Sequence, residues 1–504
     1  MNEQTTIFDF LYEDFKINKP IRLIEFFAGI GAQAKSLKNL GVNFEHYKTC
    51  EWAIPSILAY SEIHHNELPK YGTKFSQNLT KDELVGYLYS KGISSNYNEP
   101  MKKEQIKRLS EEKLRQIYDA IQYNNNLVNI QQVKGEDLDI VDKDKYCYVL
   151  TYSFPCQDLS LAGLGKGMSR VGGTRSGMLW EVERILDECN DLGTLPNVLL
   201  MENVPQVIGA NAINDFQEWR AKLESLGYSN YAEILNAKDY GIPQNRERCF
   251  MVSILGEYNY NFPRKIKLEK KLKDLLESKV DEKYYLSDKQ LDYILDAQDV
   301  ALKGGRDINN RTINPNIAKT ISCRGAVDQR ADVTNFAIDG CDEEITVKDL
   351  KLRIKEATKK GYKEAYEGDV VDISSRMETH RGTVQSGMAQ TIKTGIDVGV
   401  VVKDEPKVIG GIGEKKSNNG TQWYQQDRIY DDNIAISVTT ICNPYYKCDL
   451  RIRKLTGKEC YRLMGFSDED CDNARKVLSE NMIYHTAGDS IVVNVLMSIF
   501  NQML

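Results

Sequence analysis

Ile21-Arg-Leu-Ile-Glu-Phe-Phe-Ala-Gly-Ile-Gly-Ala-Gln-Ala-Lys-Ser-Leu-Lys-Asn-Leu40 is the stretch from which the fold is read. Ile21 to Phe27 is mostly apolar and reads as a strand. Ala28-Gly-Ile-Gly31 is a turn, and Ala32 to Leu40 has helical periodicity and stops at Gly41, a plausible C-cap glycine. Strand, glycine turn and helix in that order open a doubly wound α/β domain. Gly29 and Gly31 let backbone approach a ligand, and the free N–H groups of the helix start suit an anion. An ordinary tight βα turn fits the same residues equally well.

The next strand, Phe44 to Cys50, ends in Glu51-Trp52. A carboxylate about 20 residues beyond the glycines suits ribose hydroxyls. Trp52 is either a face for a base or a core aromatic. A third apolar run, Tyr146 to Phe154, stops at Pro155, and Cys156 follows at once in Tyr152-Ser-Phe-Pro-Cys-Gln-Asp-Leu-Ser160. Pro155 fixes its own φ and restricts Phe154, so this turn is stiff. A lone cysteine is more often simply packed. Here, however, the short strand Val198 to Met201 ends in Glu202-Asn-Val-Pro205, which sets an acid at a strand end beside the strand end bearing the thiol. Leu161 to Arg175, with five glycines, has the composition of a lid. In Gln244-Asn-Arg-Glu-Arg-Cys-Phe250, Arg246 and Arg248 stand at i and i+2 and share one face of a strand. A surface ion-pair strip with Glu247 is the alternative.

The totals bound the rest. The chain has 504 residues, 41% of them hydrophobic, and a net charge of −7. That is more than one typical domain. It argues against a surface coated with nucleic-acid-binding charge, though not against a basic cleft. No apolar run approaches the ~20 residues of a membrane helix, and the first residues lack a signal-peptide pattern, so no membrane association and a cytoplasmic location are expected. Eleven cysteines, an odd number without regular spacing, suggest reduced thiols. Cys442 and Cys448 are too far apart for a zinc knuckle, and His380 and His485 fall in no metal pattern, so no metal site is expected. Ser61 to Val133 is long and polar and reads as a surface insertion, with Lys102 to Gln122 as a charged helix.

From about Asn259 the character changes. Pro263 to Lys273 is basic, and short β-like pieces follow, interrupted by a polar helix expected around Val347 to Tyr366. Asn316 to Cys323, Gly387 to Thr394 and Asn433 to Thr440 resemble one another and are read as a possible repeated β-unit or as coincidence. Arg324, Gln329, Arg330, Arg381, Gln385, Asn418, Asn419 and Gln422 have side chains suited to base readout. For any one of them a phosphate contact or a solvated loop is the commoner role.

Taken together, Phe154-Pro-Cys-Gln157, the glycine turn, Glu202-Asn-Val204, Gln244 to Arg248, Arg453 to Gly465 and Gly488-Asp-Ser490 resemble, in order, the motifs of the cytosine-C5 DNA methyltransferases of bacteria and phages. The resemblance covers Ile21 to Leu255 and Arg428 onward. It implies a Rossmann-like, S-adenosylmethionine-dependent domain with a smaller, mostly β target-recognition domain. It implies a cofactor held by Phe27, Gly29, Gly31, Glu51, Trp52, Asp137, Pro155 and Asp489, the last replacing the usual asparagine. Cys156 becomes the nucleophile, Glu202 the acid, Arg248 the contact to cytosine O2 and Arg246 its support. The expected domains are 1–258 (with 61–133 inserted), 259–474 and a returning segment, 475–504. Double-stranded DNA is the expected partner and a monomer the expected state; pairing with a restriction endonuclease stays open. An RNA cytosine-C5 methyltransferase and a DNA-binding protein that methylates nothing are the alternatives.

Overall fold

The computed structural model describes residues 13–65, 70–155, 175–284, 352–356, 360–366, 368–372, 384–390, 398–403, 408–411, 428–430 and 450–504. The chain divides into two compact units, one of Met1–Lys270, Thr391–Gly395 and Gly457–Leu504, the other of Lys271–Gln390 and Ile396–Thr456. The helix at Gly457–Leu463 already belongs to the first unit, because it buries Cys460, Tyr461 and Leu463 there. The Tyr461 hydroxyl meets Thr486 Oγ1 at 2.9 Å.

In the first unit β1 (Ile21–Phe26), β2 (Phe44–Cys50), β3 (Cys147–Tyr152) and β4 (Val198–Asn203) run parallel. β5 (Tyr228–Asn236) and β6 (Glu247–Leu255) close the sheet antiparallel, giving the order β2-β1-β3-β4-β6-β5. Every residue of β3 and β4 is buried, which is why both read as unbroken apolar runs rather than alternating ones. The strand order reverses between β1 and β3, and a crevice at the carboxyl ends of such a pair is where open α/β sheets bind ligands. Phe26 pairs with Tyr152 and Tyr152 with Met201. The glycine turn, the Ser153–Pro155 segment and Glu202 therefore leave the sheet level with one another.

The helices of this unit are α1 (Ala32–Asn39), α2 (Ile54–His64), α3 (Lys81–Lys91), α4 (Lys103–Lys107), α5 (Glu111–Tyr123), α6 (Leu179–Asp191), α7 (Ile213–Ser225), α8 (Gly457–Leu463), α9 (Asp468–Arg475), α10 (Glu480–Asp489) and α11 (Val493–Met503). α11 packs on α1, and the Ile17 N–H donates to the Met503 carbonyl at 2.6 Å. The segment Glu480–Met503 is apolar enough by length and composition to cross a membrane, but 72% of that stretch is buried inside the protein, and it is broken at Ser490–Val492 between α10 and α11.

Two expectations are corrected. Ser61 to Val133 is not a solvated appendage. Leu84, Val85, Leu88, Ile106, Leu114, Ile117 and Ile121 close on Ile57 and Leu58 of α2 as a second apolar core. Its polar residues face out and its apolar ones recur at helical spacing, so mean polarity hid an amphipathic layer. Lys102 to Gln122 is also two helices: the first ends at Lys107 with Arg108 as its C-cap, and Ser110 caps the next by accepting from the Lys113 N–H at 3.1 Å. In the second unit, the charged segment around Val347 to Tyr366 contains a β-hairpin, Leu352–Lys355 against Tyr362–Ala365. Leu352 and Ile354 are buried while Arg353 and Lys355 are not, a two-residue period that outweighs charge content. Four further described strands of this unit form an antiparallel sheet in the order Val384–Gln385, Val370–Asp372, Val398–Lys403, Leu450–Lys454, and two more a pair, Val408–Gly411 with Arg428–Tyr430. Of the base-reading candidates only Gln385 lies within the described residues.

Beneath the glycine turn lies a buried polar cluster. The Tyr60 hydroxyl donates to Glu25 Oε2 at 2.5 Å and meets His46 Nδ1 at 2.9 Å, while the Ala34 N–H reaches Glu25 Oε1 at 3.3 Å. His64 Nε2 donates to the Ile30 carbonyl at 2.8 Å. Burial pushes the Glu25 carboxyl up to about 7 and the His46 imidazole down to about 4. A carboxyl raised in the folded state costs no stability below its unfolded pKa; the cost grows as pH rises from there to the folded value and is constant above it. In Glu25→Gln that cost is absent, so its melting temperature relative to wild type should climb between pH 5 and pH 8, equivalent to ~2–3 kcal/mol at the upper end. A constant difference measured by thermal unfolding across that range would show that Glu25 does not titrate there.

Candidate active site and cofactor crevice

The crevice begins with an unusual backbone. Phe27, Gly29 and Gly31 all have positive φ, at 55°, 54° and 75°. For Phe27 this is strained, and the N–H bonds of Phe27 to the Cys50 carbonyl at 2.8 Å and of Gly31 to Ala28 at 2.9 Å hold the turn. A Cβ at Gly31 would collide with the rings of His64 and Tyr60, whereas one at Gly29 would meet nothing within 4 Å. Gly31 is thus required by the protein's own packing, and Gly29 faces open space. Gly31 caps α1 with no side-chain hydrogen bond; the Ala34 N–H is taken by Glu25, and the N–H groups before it suit a ligand.

Glu51 forms the opposite side. Its Oε2 accepts from the Gly29 N–H at 3.0 Å and its Oε1 from the Ala53 N–H at 2.8 Å. Burial pushes this carboxyl up to about 7 against those N–H groups, and the charge on Asp489 raises it further. The Glu51 backbone is clamped by Asn126, whose Oδ1 accepts from the Glu51 N–H at 3.0 Å and whose Nδ2 donates to the Glu51 carbonyl at 2.8 Å. Trp52 is half-buried against the core of the inserted helices. Asp489, at the end of α10, pairs with His485 at 3.0 Å. Asp137 is exposed, and its carboxylate accepts from the Lys134 N–H at 2.8 Å. It lines a cleft of about 300 Å³ with Lys91, Leu127, Gln132, Lys134 and Glu136, and no hydrogen bond among the described residues links it to Glu51.

At the end of β4, Glu202 meets Arg248. Asn203 Nδ2 donates to the Phe154 carbonyl at 3.0 Å, and Asn203 Oδ1 accepts from the Val204 N–H at 2.8 Å. One side chain ties the chain just before Pro155 to the strand carrying Glu202. Glu202 is 8% exposed and pairs with Arg248 Nε at 3.1 Å. Burial raises its pKa, while the charges of Arg248 and Arg246 pull it back. Arg248 also donates through Nη1 to the Glu247 carbonyl at 2.7 Å. Arg246 is buried, and its Nη2 donates to the carbonyls of Gly488 at 3.0 Å and Ser490 at 2.7 Å. It braces the turn between α10 and α11. Cys156 and the glycine-rich segment to Thr174 lie outside the described residues.

Sequence reading did not single out Asn126, Asn203, Tyr97 or His485. Asn203 stood inside a motif, and its partner is visible only once β3 and β4 are adjacent. The glycine turn yields a direct test. Gly31→Ala should destabilise by several-fold more than Gly29→Ala, for which only the left-handed backbone is penalised, by ~1–2 kcal/mol. Equal melting temperatures for the two variants would contradict the packing described.

A family model described as C-5 cytosine-specific DNA methylase matches residues 98–504. The orphan methyltransferase M.SssI of Spiroplasma monobiae is 41% identical over 276 residues, covering 53% of this chain and 68% of that protein. The type II methyltransferase M2.ScrFI of Lactococcus lactis subsp. cremoris is 38% identical over 272 residues, covering 54% and 71%. A solved methyltransferase of Entamoeba histolytica, EhMeth, aligns over 96% of this chain and 98% of its own with a TM-score of 0.47 and 14% identity. With the family model spanning most of its length and the doubly wound sheet in place, the chain belongs to the C-5 cytosine-specific DNA methylases.

Proposed function

We propose that the protein methylates C5 of a cytosine extruded from double-stranded DNA, with Cys156 as nucleophile and S-adenosylmethionine as methyl donor. The observation that carries the reading is the Glu202–Arg248 pair at the end of β4, tied through Asn203 to the residue two before Cys156. The crevice residues suit the cofactor. The open face at Gly29 and the uncapped start of α1 suit its methionine end, Glu51 its ribose, and Phe27 and Trp52 its flat or apolar parts. Pro155 and Asp489 border the same crevice in this reading, and Asp137 meets the adenine amino group. Bound there, the cofactor supplies an electrophilic methyl group.

The chain's own groups do the rest. Cytosine C5 is a weak nucleophile. Addition of the Cys156 thiolate to C6 breaks the ring conjugation and gives C5 enamine character, the covalent device that replaces one hard step with two easier ones. Negative charge then builds on the O2–N3 edge. Glu202, pushed by burial toward its proton-holding form, donates to N3 and accepts from the exocyclic amine, which selects cytosine. Arg248, one ion-pair distance from Glu202, fits the neighbouring O2 and is already in place when charge appears. After methyl transfer a base removes the C5 proton and the thiolate leaves. Because C5 and C6 are shielded in a duplex, the base has to be flipped out.

Methyl transfer to a random-sequence duplex library, read by conversion sequencing, tests the reading. Methylation should fall at one short motif and vanish in Cys156→Ser, which should still bind the cofactor. In Glu202→Gln it should fall about 100-fold or more. Wild-type rates in Cys156→Ser would reject the mechanism, and transfer only to RNA would reject the substrate.

A further inference from the structure

Besides the Asn126 clamp on Glu51, the inserted segment reaches the crevice at a second place. After α3 the chain turns back at Gly92 and lies along the residues following Glu51. The Ser94 N–H donates to the Trp52 carbonyl at 2.8 Å, and the Ile54 N–H donates to the Ser94 carbonyl at 2.8 Å. Ser94 Oγ donates to the Glu99 carbonyl at 2.8 Å, and Asn96 Oδ1 accepts from the Asn98 N–H at 3.0 Å. The loop is therefore stiff. At its tip Tyr97 has a φ of 62°, a left-handed backbone that an aromatic residue adopts at a cost. Two contacts hold it there. Its hydroxyl meets Ser56 Oγ at 3.0 Å, and its ring stacks on His485 with centroids 4.4 Å apart and planes 20° from parallel. His485 in turn pairs with Asp489 at 3.0 Å, one turn from where Arg246 grips the Gly488 carbonyl.

We propose that Tyr97 is a positioning residue for the cofactor: through its stack on His485 it joins the Glu51–Trp52 wall to the Gly488–Asp489 wall and sets the width of the crevice between them. This rests on the reading of that crevice as the cofactor site. Glu51 comes from the end of β2 and Asp489 from the end of α10, two elements far apart in the sequence. The loop bonds to one wall through Ser94 and to the other through the Tyr97 ring, so the strained backbone at Tyr97 is the cost of a bracket. An insertion whose only role was to thicken the fold would place an aromatic tip in its own apolar core, not against a charged pair on the far side of the crevice.

The test compares Tyr97→Leu, His485→Leu, the double variant and Tyr97→Phe, using full-length protein. Dissociation constants for S-adenosylmethionine and S-adenosylhomocysteine are measured by calorimetry without DNA, alongside kcat and KM for the methyl donor. Tyr97→Leu and His485→Leu should each weaken both ligands about tenfold and raise KM in proportion, with kcat within about twofold of wild type. The double variant should be no weaker than the worse single one, since either removal breaks the same contact. Tyr97→Phe, which keeps the ring, should bind as wild type. Wild-type affinity in both leucine variants, or losses that simply add, would overturn the bracket. Should Tyr97→Leu fail to fold, His485→Leu against Tyr97→Phe gives the same decision. A wild-type protein that binds neither ligand would instead overturn the reading of the crevice itself.

Discussion

The constraint on which the site depends is the parallel register of β1, β3 and β4. Phe26, Tyr152 and Met201 lie side by side across three strands, so whatever follows them is presented at one edge of the sheet. The glycine turn, the segment leading to the thiol, and Glu202 come from three distant parts of the sequence. No side-chain contact needs to find them for one another, since the backbone ladder does that before any chemistry is specified. Burial of every residue in β3 and β4 makes that ladder costly to slip, because a one-residue shift would exchange side chains between two packed faces and misalign all three strand ends.

Around that ladder the protein spends polar side chains as fasteners rather than reagents. Asn203 ties β4 to the end of β3, Asn126 holds the Glu51 backbone from the inserted segment, and Arg246 collects carbonyls from the turn after α10. Each is buried and hydrogen-bonded, the condition under which a polar group rigidifies a core. Glu51 and Glu202 are the contrast. Both are carboxyls lifted by burial and only partly compensated by neighbours, which is the profile of groups kept ready for a partner.

The sequence made some of this legible and hid the rest for physical reasons. Ile21 to Leu40 could be read because strand, glycine turn and helix are encoded within twenty consecutive residues, and the resemblance named Glu51, Glu202 and Arg248, which lie just past β2, near the end of β4 and at the start of β6. The inserted segment was misjudged because its apolar residues are diluted among lysines and glutamates, and its burial depends on α2, which it meets only in three dimensions. The hairpin at Leu352–Ala365 was misjudged because charged residues on its exposed face resemble a solvated helix unless the two-residue alternation of Leu352 and Ile354 is weighed above them. Tyr97 and His485 carried no signal, since stacking between residues so far apart leaves no local pattern. Arg246 and Arg248 were expected on one strand face, but only Arg248 lies in β6, and Arg246 just before it reaches a helix turn while Arg248 reaches the acid.

The first unit is assembled from both flanks of the second. α1 packs on α11, Ile17 bonds to Met503, and the Lys16 ammonium reaches the Leu504 carbonyl at 2.6 Å. During synthesis the strands β1 to β6 therefore leave the ribosome well before the helices that complete their core. A nascent chain holds an apolar face open while the whole intervening unit is made. Biosynthesis of this protein is thus a delayed closure, in which the unit begun first is finished last.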